Sequence, residues 1–195
     1  MNEQLKMAGM LTLVTMIAAV ALAGVNLVTK PRIEAQKRLA LERALTIALP
    51  QANKDAIVPV YKDDNVLYYK GYAKPDTSDL VGYAFVAFGK GYSSTIETMV
   101  GVDTTGKICG VKVLYQVETP GLGTKIEEIR HGQSKPWFQQ QFIRKDAKEL
   151  VVDKDGGDIQ SITGATISSR AVTKSIAQGM GYLKEEVGGF VDSNK

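Results

Sequence analysis

Two residue types that build reactive centres are nearly missing from this chain of 195 residues, which has one cysteine, Cys109, and one histidine, His131. One cysteine rules out an intramolecular disulfide framework and a thiolate set for an iron–sulfur cluster. With one histidine, neither an imidazole-based metal site nor a Ser–His relay within the chain is expected. No catalytic residue and no metal ligand is therefore assigned. Charge of one sign is also scarce: 24 Lys and Arg against 21 Asp and Glu leave a net charge of +3, which gives nucleic-acid binding no compositional support. Internal repeats and low-complexity tracts are absent too. By elimination, the chain is left with an organic cofactor or a pure binding role.

Apolar sequence, by contrast, is plentiful. Residues 7–28 carry no charge, and at about 1.5 Å per residue such a run reaches roughly 33 Å, enough to cross a hydrocarbon core of about 30 Å. Ala21-Leu22-Ala23 has the form of a signal-peptide cleavage site, but the apolar run continues through Val25, Leu27 and Val28, longer than a signal needs. An uncleaved anchor is the reading adopted, with residues 1–29 as a short stub and transmembrane helix. Residues 30–50 read as a juxtamembrane helix. Pro31 suits its first turn, Ile33, Leu41, Ala44, Leu45 and Ala48 share one side, and Pro50 closes it. Lys30, Arg32, Lys37 and Arg38 are candidates to touch lipid headgroups, or form a solvated face, and by the positive-inside tendency they would keep the following domain in the cytoplasm.

Residues 51–195 make up the remaining domain. The stretches 66–72 and 81–88 carry β-branched and aromatic residues between turn signals. Two more, 96–102 and 108–117, flank Asp103-Thr104-Thr105-Gly106-Lys107, a hairpin turn. Leu150, Val151, Val152 and Asp153 read as a further strand. The expected fold class is α+β, an antiparallel sheet packed with helices behind a single N-terminal transmembrane helix. Strand aromatics and Cys109 are assigned to the core, Trp137 to anchoring a helix on the sheet, and His131 to solvent.

The stretch 161–169 holds five Ser and Thr among nine residues. Behind it Val172, Ile176, Met180 and Leu183 recur at helical spacing, with Ser168 or Ser169 as the expected N-cap. Such runs are commonly plain caps, though hydroxyls at the positive end of a helix also suit a phosphate. The order Thr163-Gly164-Ala165-Thr166, followed by Ser168 and Ser169, resembles the flavinylation motif of the FMN-binding domain family. The resemblance implies FMN joined through its phosphate to Thr166, with Thr163, Gly164 and Ala165 positioning that residue. The family pattern often has Asp where Gln160 stands here.

A second motif, Glu118-Thr119-Pro120-Gly121-Leu122-Gly123, is similar to the loop that lines the flavin pocket in the same family. Its Pro-Gly turn gathers Glu118, Thr119, Gly121 and Leu122 into one space, which suits the polar edge and apolar faces of an isoalloxazine ring or simply a polar turn over a buried Leu. Glu118 and Thr119 are the first candidates for redox tuning. Gly91 and Tyr92, in the loop 89–94, are a weaker third pair of candidate contacts. Across nearly the whole chain the likeness is closest to the G subunits of Rnf-type ferredoxin:NAD oxidoreductase complexes. C-type subunits of sodium-pumping NADH:quinone reductases are the neighbouring alternative. From other classes come a membrane-anchored flavin-binding sensor or structural subunit, and a secreted small-ligand binder that would require cleavage after Ala23.

The resemblance implies one covalent FMN per chain and electron transfer within an ion-translocating complex, without a substrate of the chain's own. Its partners would be the other membrane and iron–sulfur or flavin subunits of the complex, together with membrane lipid and no nucleic acid. A threonine hydroxyl needs a base to act as nucleophile and the motif supplies none, so maturation would fall to a separate flavin transferase. The family places the domain on the outer face of the cytoplasmic (inner) membrane, with the N-terminal stub inside, against the charge pattern.

Overall fold

The computed structural model describes residues 2–190, which fall into two compact units that divide between Ala40 and Leu41. The first unit is helical. It holds most of α1 (Asn2–Ala48), within which an 18-residue window reaches a mean hydropathy of 2.2 with none of it buried. By length and composition this helix can cross a membrane. It does not restart near residue 30, because Pro31 lies inside it. Proline withholds the N–H that the Leu27 carbonyl would accept and its ring crowds that carbonyl, a local cost that does not end a helix whose flanks are rich in Leu, Ala, Lys and Arg.

The second unit is built on five antiparallel strands in sequential order: β1 (Ile57–Lys62), β2 (Asn65–Tyr72), β3 (Leu80–Lys90), β4 (Thr95–Asp103) and β5 (Ile108–Tyr115). Strands β2 to β5 fall on the four stretches expected to be strands. β1 is not legible in the residues because Pro59 sits in its middle, a position tolerated on an edge strand that pairs on one side only. The strand expected near residue 150 shrinks to one parallel bridge, Val152 with Ile159. Cys109, in β5, is half-buried, and burial pushes its thiol up to about 11, so it stays neutral and unreactive.

Both faces of the sheet are covered. On one, α3 (Thr166–Glu186) lays Val172, Ile176, Met180 and Leu183 in a core that includes Phe85, Ile96, Val100 and Val102. The short α2 (Trp137–Gln140) adds Trp137 and Phe138, stacked edge to face at 5.8 Å. Trp137 is an anchor: its Nε1 donates to the Glu128 carboxylate at 3.2 Å and the Arg130 guanidinium lies 3.5 Å from its ring centroid.

On the other face Ala44, Leu45, Ala48 and Leu49 pack with Ala84 and Met99. Burying Leu45 and Leu49 contributes at most about 1.5–3 kcal/mol each. Gly101 and Gly110 are partners across β4 and β5, and a Cβ on them would stand 2.0 Å from the Ala48 carbonyl oxygen and 2.1 Å from that of Ile47. The last turn of α1 thus rests backbone to backbone on the sheet. The compact unit that holds the sheet begins at Leu41 and so takes in the last turns of α1.

Candidate functional site

α3 starts at Thr166, two residues before the serines expected to cap it. Its N-cap is Ala165, with φ −138° and ψ 40° and no side-chain cap bond. Ser168 and Ser169 are buried inside the first turn because their hydroxyls are committed elsewhere. Ser169 Oγ donates to the Ala165 carbonyl at 3.0 Å and accepts the Ile162 N–H at 3.0 Å. Ser168 Oγ donates to Glu118 Oε2 at 2.5 Å. The N–H groups of Thr166, Ile167 and Ser168 therefore have no intrahelical partner, and the positive end of the helix is left uncapped. Gly164, at φ +78°, makes the reversal into α3, where a Cβ would also meet Leu122 Cδ2 at 3.1 Å.

The segment leading to this turn is held by residues distant in sequence. The Gln160 N–H donates to Gln141 Oε1 at 2.7 Å, Gln141 Nε2 returns a bond to the Gln160 carbonyl at 3.1 Å, and the Ser161 N–H donates to Asp153 Oδ1 at 3.1 Å. Thr166 is thereby presented from a fixed backbone.

The facing wall comes from two loops joined by one carboxylate. Glu118 is 4% exposed. Its Oε1 accepts the N–H groups of Ser93 and Ser94 at 3.0 Å each and Ser94 Oγ at 3.2 Å; its Oε2 accepts the Tyr92 N–H at 3.0 Å besides Ser168. Five donors saturate a carboxylate with about four lone-pair sites. Both oxygens are thus spent inside the protein. Burial alone would push the Glu118 carboxyl up, but the bonds from Ser168, Tyr92, Ser93 and Ser94 outweigh it and hold the group below its ordinary value of 4.5.

A pH dependence follows from that direction. A carboxyl depressed in the folded state adds stability that is present above its unfolded value and lost as pH falls through the folded one. Melting temperature should stay level down to about pH 4.5 and then drop. In Glu118→Gln the acid drop should be shallower, as a series of thermal melts from pH 7 to 3 would read; an unchanged acid limb would contradict the assignment.

Between these walls lies a cavity of about 590 Å³, lined by Tyr92, Glu118, Thr119, Leu122, Gly123 and residues 164–168. Its size falls within the range usual for small-molecule sites. Of the candidate contacts, the fold brings Tyr92, Glu118, Thr119, Leu122, Gly164, Ala165 and Thr166 together here. Thr163 and Gly121 lie outside the lining, exposed on their turns. Gly91 sits behind the wall, where a Cβ would stand 2.5 Å from Glu118 Oε1. Gly123, Ile167 and Ser168 line the cavity without having been expected there. Ile167 had a signal: it is apolar yet off the Val172–Ile176–Met180 stripe. Tyr92, Leu122 and Ile167, 72%, 43% and 50% exposed, form apolar walls that solvent reaches. Thr166 is half-buried, and its hydroxyl has no partner among the described residues.

Residues 91–180 match the FMN-binding domain family, and residues 1–46 match the RnfG N-terminal region. The chain is 32% identical to the G subunit of the ion-translocating oxidoreductase complex of Shewanella baltica, over 93% of this chain and 90% of that protein. It is also 32% identical to the G subunit of the proton-translocating ferredoxin:NAD(+) oxidoreductase complex of Clostridium ljungdahlii, over 92% and 91%. Among solved structures, the crystal structure of Shewanella oneidensis NqrC matches with a TM-score of 0.44 and 22% identity, covering 71% of this chain and 74% of that one.

Proposed function

The chain belongs to the family of the G subunits of ion-translocating oxidoreductase complexes, and on that premise we propose that it is an electron-transfer subunit carrying one FMN, joined as a phosphoester to Thr166. The residues of the cavity fit this cofactor. The N–H groups of Thr166, Ile167 and Ser168, which have no intrahelical partner, would hold phosphate oxygens at the positive end of α3. Leu122, Ile167 and Tyr92 would supply apolar surface to the ring, and Thr119 a hydroxyl to its polar edge. FMN, when bound, accepts and releases electrons; the chain's part is to hold it in place.

One observation carries the attachment site. The hydroxyls of Ser168 and Ser169 are engaged and that of Thr163 lies outside the cavity, whereas Thr166 lines it with a hydroxyl that has no partner among the described residues. Glu118, the one carboxylate in the lining, is saturated by other donors, so no base stands ready to activate Thr166. Attachment is therefore assigned to a separate flavin transferase, in which the Thr166 oxygen displaces AMP from the flavin-side phosphorus of FAD and loses its proton.

The intact mass of protein made in a host with that transferase should exceed the bare chain by one FMN less one water, with the addition mapped to Thr166. An unmodified chain from a competent host would refute the covalent reading.

The apolar α1 fits a single-pass membrane protein. We place the sheet domain on the outer face of the cytoplasmic membrane, beside the other subunits of the complex. Protease added to intact spheroplasts should cleave it; protection there, with cleavage after lysis, would reverse the orientation.

A further inference from the structure

We propose that Glu118 is a positioning residue that locks the two wall loops onto α3 and, through its uncancelled negative charge, holds down the reduction potential of the flavin; this rests on the flavin reading above. The carboxylate joins three segments far apart in the chain: its own loop at 118–123, the loop at Tyr92, Ser93 and Ser94, and Ser168 in the first turn of α3. The packing around it is close on both sides. A Cβ on Gly91 would stand 2.5 Å from its Oε1, and one on Gly123 would stand 2.6 Å from its Cβ and 2.8 Å from Ser168 Oγ. Glycine at both positions is what lets the loops close over the carboxylate.

The nature of its partners decides the electrostatics. All five donors are neutral, the lining residues include no Lys, Arg or His, and among the described residues Glu118 has no ion-pair partner. Neutral dipoles stabilise a charge locally but do not cancel it at a distance. A full negative charge therefore stays in the wall of the cavity, and because Glu118 is buried its field is screened less than that of a surface carboxylate. Electrons added to a ring in the cavity meet that field, which disfavours the reduced form.

Two variants separate the charge from the hydrogen bonds. Glu118→Gln keeps the shape, removes the charge and places an amide NH2 among groups that are themselves donors. Glu118→Asp keeps the charge and shortens the reach. In flavin-free protein, amide exchange at Tyr92, Ser93 and Ser94, read by hydrogen–deuterium exchange, should speed up about ten- to hundredfold in both, the loss expected when bonds to a charged acceptor are broken. In flavin-loaded protein, the midpoint potential should rise in Glu118→Gln and stay near the parent value in Glu118→Asp.

Unchanged exchange in both variants would overturn the lock. A Glu118→Gln potential equal to the parent's, or an equal rise in both variants, would overturn the electrostatic role. If Glu118→Gln does not fold, Glu118→Ala takes its place as the neutral variant: a potential raised above that of Glu118→Asp supports the proposal, and one equal to it refutes it. Intact mass of the parent protein tells this failure from that of the flavin reading, because only the latter predicts an adduct at Thr166.

Discussion

Thr166→Ala, made in a host that supplies a flavin transferase, should carry no covalent FMN at all, and a denaturing gel should show no flavin fluorescence at its band. Its stability should hardly move. The substitution removes a half-buried hydroxyl that has no hydrogen-bond partner among the described residues, and exchanges a residue at the first position of α3 for the best helix former. The expected change is within about 0.5 kcal/mol, or about 2 °C in melting temperature for a domain of this size, measured against unmodified parent protein. Thr104→Ala is the matching control and should stay fluorescent, because Thr104 lies in the turn between β4 and β5, outside the cavity lining. A fluorescent Thr166→Ala band would place the link on another residue.

The largest loss of stability is expected from Gly101→Val. A Cβ there would lie 2.0 Å from the Ala48 carbonyl oxygen, 2.4 Å from its carbon and 3.0 Å from Ala48 Cα. These neighbours are backbone, so no side-chain rotation relieves the clash; either β4 or the end of α1 must move. Overpacking of this kind costs about 1–3 kcal/mol. Lifting the helix would also uncover part of the small core made by Leu45, Leu49 and Met99. A total near the top of that range, about 3 kcal/mol, corresponds to a fall in melting temperature of roughly 6–12 °C. Thermal melts of flavin-free protein read it directly. Covalent flavin below the melting point should be retained, since the cavity lies at the head of α3, which packs on the opposite face of the sheet. A melting temperature within about 2 °C of the parent would mean that the close seat of α1 on β4 is not formed in solution.

Much of this arrangement could be read in the residues. Strands β2 to β5 announce themselves by β-branched and aromatic residues between turn signals, the Asp103–Lys107 turn among them, and the buried stripe of α3 by the spacing of Val172, Ile176, Met180 and Leu183. The two loops that meet in the cavity carry Glu118, Thr119 and Leu122 on one side and Gly164, Ala165 and Thr166 on the other, all marked by the two motifs. What stayed hidden depends on contacts across the chain. Ser168 and Ser169 look like caps because the cap signal is local, whereas the partner that draws Ser168 inward is Glu118, fifty residues away. Glu118 in turn reads as a free polar group until the loop at Tyr92–Ser94 is folded onto it. Pro31 misled in a similar manner: proline argues for a helix start, but a long helix absorbs one missing donor.

The glycine seam between β4, β5 and the end of α1 also sets where the sheet domain can be severed from the apolar helix. A fragment beginning at residue 51 would lose Ala44, Leu45, Ala48 and Leu49, leaving Ala84 and Met99 bare and the flat glycine surface of Gly101 and Gly110 without a lid. Such a surface is sticky, and aggregation is the expected fate of that shorter fragment. Beginning at Leu41 keeps the lid while discarding the apolar span, so the cut belongs just before the last turns of the helix.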